Sequence, residues 1–455
     1  MTQVRRLGVV GAGTMGAGIA QVAAESGLET LMHDPVVDVD ARIATIADRW
    51  QRKGRQHALP VGVSGLADLA DCDVIIEAVP ERLEVKQALF AELSRVAPEA
   101  ILASNTSSIP ITAIAASALT PGRVVGMHFF NPPPLMRLVE VIPAVQSFNE
   151  AVALIVGLGK QMGKHVIVCR DVAGFVVNRT NRPFVLEALR LLQQQVADVA
   201  TIDRIVRLGA GFRLGPFELQ DLIGIDVGFD VALSFERLSF GEPRWRPSPL
   251  SAQMVAAGWL GRKTSRGWYS YDSEGNYRPD DPEAPPGGGP ATIVGAGPVA
   301  DALRARAAGA GGPRIVVEGL GGTVDGEPFH AIVPLQLVEV TGEVGERVFA
   351  SLGLYTARIA DAPGGVLGRI VCQLVNEAHF TLGENVASAA DIDAGMMLGV
   401  NHPRGPLAWG DLLGLAEVRT VLAALRELDG DAYRAAPRLM AAQSERSRRI
   451  YPDLP

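Results

Sequence analysis

Gly11-Ala12-Gly13-Thr14-Met15-Gly16 follows the apolar run Leu7–Val10 and opens a helical stretch. In that context a G-x-G-x-x-G turn aims backbone N–H groups and a helix N-terminus at a pyrophosphate, and its second glycine lets the backbone approach closely. The next apolar segment ends on Asp34, where a carboxylate would accept hydrogen bonds from an adenosine ribose and repel a 2′-phosphate, favouring NAD over NADP. A tight glycine turn with no ligand is the plainer alternative. His128 follows the apolar Val124–Met127, and Glu140 lies twelve residues on in another strand-like run. A histidine beside a carboxylate is a ready general base, because the carboxylate fixes the tautomer and stabilises the imidazolium. The same spacing also suits a hydrogen-bonded core histidine and a surface glutamate. Ser107, within Ser104-Asn105-Thr106-Ser107-Ser108, can cap a helix or hold a substrate oxygen. Asn178, among the apolar residues after Phe175, must find backbone or ligand partners. Arg49, Arg52, Lys53 and Arg55 form a basic cluster on one helix, either a solvated face or a seat for a phosphate-bearing ligand.

The frame for these side chains is written in hydrophobic periodicity. Strand, glycine turn, helix and second strand open the chain as a βαβ pattern, and strand-like runs at Val74–Ile76, Ala100–Ala103, Val124–His128 and Leu138–Ile142 alternate with helical stretches. This predicts a Rossmann-type α/β domain with a largely parallel, doubly wound sheet over residues 1–170. Long periodic segments predict an all-α domain over 171–271, and the Pro-, Gly- and Asp-rich 272–290 read as a linker.

Beyond the linker the chain repeats itself. A shift of 190 residues lays Asp171 on Asp361, Arg179 on Arg369, Glu187 on Glu377 and Gly215-Pro216 on Gly405-Pro406 without a gap. Roughly 20 of about 54 positions agree, so 361–455 is expected to be a second all-α copy. Residues 291–360 read as a degenerate second α/β segment: Gly295-Ala296-Gly297 echoes the opening turn, and Leu337–Val340 repeats Leu138–Val141. The echo has Ala300 for its third glycine and no acidic residue closing a clear second strand, so it is read as a turn without a dinucleotide.

Composition narrows the function classes. With 455 residues, roughly three domains of about 150 residues are expected. Hydrophobic residues make up 48% and charged residues 20%, which excludes general disorder. A formal charge of −8 argues against nucleic-acid binding. No apolar run reaches the ~20 residues of a membrane span. Cys72, Cys169 and Cys372 have neither disulfide-framework nor metal-site spacing, so no metal is expected and a reducing, cytoplasmic compartment fits.

Taken in order, GAGTMGAGIAQ, IIEAVPERLEVKQALF, SNTSSIPIT, GMHFFNPPPLMRLVEV, DVAGFVVNR, LGPFELQDLIGIDV and GRKTSRGWYSY resemble the 3-hydroxyacyl-CoA dehydrogenase family from residue 5 to about 271. The duplicated helical domain resembles the fused bacterial branch that includes 3-hydroxybutyryl-CoA and 3-hydroxyadipyl-CoA dehydrogenases. The resemblance implies NAD-dependent oxidation of (S)-3-hydroxyacyl-CoA to 3-oxoacyl-CoA, in fatty-acid or aromatic-acid degradation. It casts His128 as general base, Glu140 as its orienting partner, and Ser107 and Asn178 as holding the hydroxyl and thioester side of the substrate. Glu81, Lys86, Asn131 and Lys263 match cofactor-contacting positions, and Lys53 matches a lysine that meets coenzyme A. Between Gly54 and Asp71 the chain is about ten residues shorter than typical bacterial relatives, whose helical hairpin helps to cover coenzyme A. In the repeat Asn178 becomes Gly368 and Phe175 becomes Gly365, so the second copy lacks a substrate contact. Two-domain relatives dimerise through this helical domain, so the two copies are expected to pack on each other intramolecularly, in a monomer or a homodimer. The alternatives are another NAD-dependent 3-hydroxy acid dehydrogenase using a helix-borne lysine, or a non-catalytic NAD-binding relative.

Overall fold

A computed structural model describes residues 4–442 apart from 275, 278–280 and 284, so parts of the linker and residues 443–455 of the second helical copy lie outside the described residues. The N-terminal half carries an eight-stranded sheet: β1 (Arg6–Val10), β2 (Glu29–His33), β3 (Val61–Gly62), β4 (Val74–Glu77), β5 (Ile101–Ser104), β6 (Val124–Phe129), β7 (Leu138–Pro143) and β8 (His165–Val168). Their spatial order is β3-β2-β1-β4-β5-β6-β7-β8. Every neighbouring pair is parallel except β6 and β7. The central strands are buried on both faces, which explains their unbroken apolar runs. Register brings the chemistry to the strand ends: Val10 lies level with His33 and Glu77, and Glu77 with Ser104.

The second sheet is smaller. β9 (Thr292–Val294), β10 (Arg314–Glu318), β11 (Gly321–Val324), β12 (Glu327–His330), β13 (Leu337–Val340) and β14 (Tyr355–Arg358) lie in the order β14-β13-β12-β11-β10-β9. Here β9 and β10 are parallel, as are β13 and β14, whereas β10 to β13 form an antiparallel meander. Only Gly319-Leu320 separates β10 from β11, too few residues for a crossover helix, so the chain must turn straight back. The next turn, Asp325-Gly326, has positive φ at both residues, the geometry that suits the twist of a tight hairpin. Among the described residues, no strand in this sheet stands where β2 and β3 stand beside β1 in the first.

The chain divides into two units that do not follow chain order. One runs to Arg179 and includes Asn385–Val400; the other holds Thr180–Glu384 and the chain from Asn401 onward. The contiguous helical blocks expected at 171–271 and 361–455 are thus each split. The Ala389–Gly399 helix of the second copy lies on β7, and the Val199–Ala210 helix of the first copy lies on β13 and β14. Matching backbone bonds tie each exchange: Arg170 N–H donates to the Val386 carbonyl at 3.0 Å and Ala360 N–H to the Val196 carbonyl at 2.8 Å.

In the second unit the Arg182–Gln193 helix of the first copy packs on the Leu367–Gly383 helix of the second, which is buried along almost its whole length. Arg369 and Tyr433 both bond the buried Glu187 carboxylate, at 2.9 and 2.8 Å. His402 is buried here between the Phe184 and Phe212 rings, with no partner for its Nδ1 among the described residues. Burial pushes its pKa down to about 3. A depressed histidine contributes stability that is present above its unfolded pKa and lost as pH falls from about 6.5 toward about 3. His402→Phe, which installs the residue found at the equivalent Phe212, should therefore abolish roughly 2 kcal/mol of stability loss between pH 8 and pH 5. Thermal unfolding of both proteins at the two pH values checks this; parallel shifts would refute it.

Candidate active site

Three glycines shape the opening turn, each for a different reason. Gly11 has φ +101°, and a Cβ there would lie 2.5 Å from the Ala78 carbonyl oxygen. A Cβ on Gly16 would strike the Gly11 carbonyl at 1.8 Å, whereas one on Gly13 would meet nothing within 4 Å. The turn therefore packs tightly on its sheet side and is open at Gly13. The Thr14–Glu25 helix that follows has no side-chain cap, which leaves the first-turn N–H groups of Thr14, Met15 and Gly16 free for an anion. Asp34 accepts from Ala12 N–H at 2.7 Å with one oxygen and from Val36 and Val37 N–H with the other. Partial burial raises its pKa, but these three donors outweigh burial and hold the carboxyl below its usual range. The residues present thus fit a dinucleotide with an unmodified ribose. A fixed anion facing a 2′-phosphate costs several kcal/mol, so NAD should be favoured over NADP by at least about a hundredfold in kcat/KM, and Asp34→Ser should narrow that ratio. Equal use of the two cofactors by the unaltered protein would contradict it.

Glu81 organises the loop after β5. It accepts from the Thr106 hydroxyl, from the Ser107 and Ser108 N–H groups and from the Ser108 hydroxyl, all within 3.0 Å. Burial raises its pKa, but Lys86 and these donors lower it further, so it stays ionised. Lys86 is 1% exposed, and its Nζ lies 2.6 Å from Glu77 and 3.3 Å from Glu81. Glu77 also bonds the Ser104 hydroxyl at 2.7 Å and Val79 N–H at 2.7 Å. A buried carboxylate closing the strand Val74–Glu77 needs such partners, and that was the available signal for Glu77, which sequence reasoning passed over. Asn105, also unassigned, accepts from Phe129 N–H at 2.8 Å and so ties this loop to the strand that bears His128.

His128 and Glu140 stand directly opposite each other on β6 and β7. The His128 Nδ1 to Glu140 Oε2 distance is 2.7 Å, and Glu140 is fully buried. The other oxygen, Oε1, accepts from Val176 and Val177 N–H at 3.0 and 2.9 Å, so the carboxylate cannot rotate away. With Nδ1–H donating to Glu140, the imidazole lone pair lies on Nε2. Phe175 holds a positive φ of 53°, rare for an aromatic residue, and places its ring 5.8 Å from the His128 ring. Asn178 follows Val177 directly and donates to the Ser107 carbonyl at 3.4 Å. The fold therefore gathers His128, Glu140, Ser107 and Asn178 in one unit with the glycine turn, Asp34, Glu81 and Lys86.

The remaining candidates sit at the margins. Asn131 is exposed, in a loop whose Pro133 packs on Gly18 of the dinucleotide helix and whose Pro133 and Met136 carbonyls accept from Lys164 at 2.6 and 2.8 Å. Lys53 is exposed at the end of the Val39–Arg52 helix, and only β3 and one 3-10 turn, Leu66–Leu69, lie between that helix and β4, with no helical hairpin. Lys263 belongs to the second unit, where it pairs with Asp226 at 2.6 Å. The described residues hold no cluster of metal-binding side chains, and no described helix is long and apolar enough to cross a membrane.

The second sheet repeats the pairing in part. His330 stands opposite Glu339, whose carboxylate accepts from Val366 and Leu367 N–H, the residues equivalent to Val176 and Val177. There, however, His330 Nε2 is bonded to Asp361 at 2.9 Å. The nitrogen for which the described residues offer no hydrogen-bond partner in the first pair is occupied in the second.

A G-x-G-x-x-G turn with an acid closing the next strand, in one unit with a histidine held by a buried carboxylate, is the arrangement of an NAD-dependent dehydrogenase. Residues 6–172 match the family model for the NAD binding domain of 3-hydroxyacyl-CoA dehydrogenase, and 174–271 and 364–448 both match the model for its C-terminal domain. The chain is 37% identical over 460 residues to 3-hydroxyadipyl-CoA dehydrogenase of Escherichia coli (strain K12), covering 95% of each protein. It is 41% identical over 278 residues to the probable 3-hydroxybutyryl-CoA dehydrogenase of Deinococcus radiodurans, which it covers completely with 58% of its own length. A crystal structure of 3-hydroxybutyryl-CoA dehydrogenase from Escherichia coli K12 superposes with a TM-score of 0.81 at 35% identity, covering 96% of this chain and 98% of that one. The chain belongs to the 3-hydroxyacyl-CoA dehydrogenase family.

Proposed function

We propose that this protein oxidises short (S)-3-hydroxyacyl-CoA esters, with 3-hydroxyadipyl-CoA as the preferred substrate, and that His128 is the base. The His128–Glu140 pair carries the reading. When bound, NAD supplies the acceptor for the hydride leaving C3. His128 Nε2 takes the C3 hydroxyl proton, and Glu140 stabilises the imidazolium that forms. In the reverse direction that imidazolium returns the proton to the ketone oxygen. Ser107 and Asn178, joined through the Ser107 carbonyl, hold the hydroxyl and thioester side of the substrate. Glu81 keeps the Ser107 loop in place, and Lys86 supports Glu81 from beneath. Lys53 and its basic neighbours meet coenzyme A, while Asn131 flanks the cofactor. The buried, unpaired thiols of Cys72, Cys169 and Cys372 support a cytoplasmic setting.

The dicarboxylic substrate is put first on the name of the relative that is 37% identical over 95% of both chains. A 3-hydroxybutyryl-CoA substrate is the second reading, supported by the names of the shorter relatives and of the full-length Escherichia coli crystal structure. Steady-state kinetics on both thioesters separates them: kcat/KM for 3-hydroxyadipyl-CoA should exceed that for 3-hydroxybutyryl-CoA, and the opposite order would select the second reading.

A further inference from the structure

We infer that the Ala389–Gly399 helix, part of the second helical copy, positions the His128–Glu140 pair through Gly395 and Gly399. The inference rests on reading that pair as catalytic. The helix lies on β7, the strand of Glu140. A Cβ on Gly395 would come within 3.2 Å of Val177, 3.3 Å of Ile167 and 3.5 Å of Val176. One on Gly399 would come within 2.9 Å of Leu138, 3.3 Å of Phe130 and 3.3 Å of Val177. Each neighbour is one step from the chemistry. Val176 and Val177 supply the two N–H groups that hold Glu140 Oε1, Leu138 precedes Glu140 by two residues, and the Phe130 ring lies 4.6 Å from that of His128. Valine is stiff at χ1, so pressure on these side chains moves their backbone and with it the donors.

Glycine is a poor helix former, so two on one helix face call for a reason. The counterpart helix Val199–Ala210 supplies it. Gly399 corresponds to Gly209, but Gly395 corresponds to Ile205, which is fully buried. That helix packs on β13 and β14, beside the His330–Glu339 pair whose imidazole is occupied by Asp361. A bulky residue is accepted against the second sheet, and a glycine stands where the same helix position meets the Glu140 anchor. The second copy thus completes the support of the first copy's site while contributing no reacting group.

The test is a graded series in the full chain. Gly395→Ala and Gly395→Ile, the latter installing the residue of the first copy, should lower kcat progressively, the isoleucine by about tenfold, with KM for NAD unchanged. Val177→Ala, which keeps the donating N–H and removes the nearest clash, should recover most of the Gly395→Ala loss. Gly209→Val, crowded against Leu367 at 2.7 Å in the second unit, should lower the unfolding temperature yet leave kcat within about twofold of wild type. If Gly395→Ile does not fold, the alanine variant and its rescue carry the result. Wild-type kcat in the Gly395 variants, or an equal kcat loss in Gly209→Val, overturns the inference. An active His128→Gln would instead overturn the assignment of the base, whatever the glycine series gives.

Discussion

His128→Gln lowers kcat by about 10²–10⁴ and leaves NAD affinity near wild type, as measured by steady-state kinetics and by cofactor titration. The two quantities separate because the imidazole serves the proton and not the cofactor: its Nδ1 is spent on Glu140 and its ring packs on Phe130 and Phe175. Glutamine can still donate to Glu140, so the carboxylate keeps a partner and the protein should fold. What is lost is the Nε2 lone pair. Glu140→Ala is expected to be worse for folding, since it strips the Val176 and Val177 N–H groups of their buried acceptor. A parallel loss of NAD affinity in His128→Gln would show that the histidine holds the domain together. Gly368→Asn, which restores the amide in the second copy, should leave turnover unchanged.

Lys86→Met should destabilise the protein by about 3–5 kcal/mol, seen as a marked fall in the unfolding midpoint. The ammonium and the Glu77 carboxylate are both almost completely buried, and removing the cation leaves the anion without its charge partner. Adding Glu77→Gln to Lys86→Met should recover part of the loss, because the neutral amide can still bond the Ser104 hydroxyl and Val79 N–H. Little change in the single variant would mean that water reaches Glu77. Since Lys86 also lies 3.3 Å from Glu81, the variant should raise KM for NAD as the Ser107 loop loosens.

The strand–glycine–helix opening, Asp34, and the β6 and β7 runs bearing His128 and Glu140 were legible in the sequence because they are local or periodic. A glycine turn, an acid ending a strand and an unbroken apolar run each declare their conformation over a few residues. The 190-residue repeat was legible for a similar reason, since identical spacing needs no structure to be seen. Roles for Glu81, Lys86, Asn131 and Lys263 came only through resemblance, because nothing in their spacing singles them out.

The tertiary structure alone decided which carboxylate oxygen meets which donor and which helix covers which sheet. Glu140 finds Val176 and Val177 thirty-six and thirty-seven residues away, a separation that leaves no periodic trace. The meander of the second sheet follows from a two-residue connection that admits no crossover. Periodicity states that a helix has an apolar face, but when two near-copies offer equivalent faces it cannot state which sheet each will cover. The tertiary contacts place the Ala389–Gly399 helix, with Gly395 and Gly399, on the first sheet and the Val199–Ala210 helix, with Ile205 in place of Gly395, on the second.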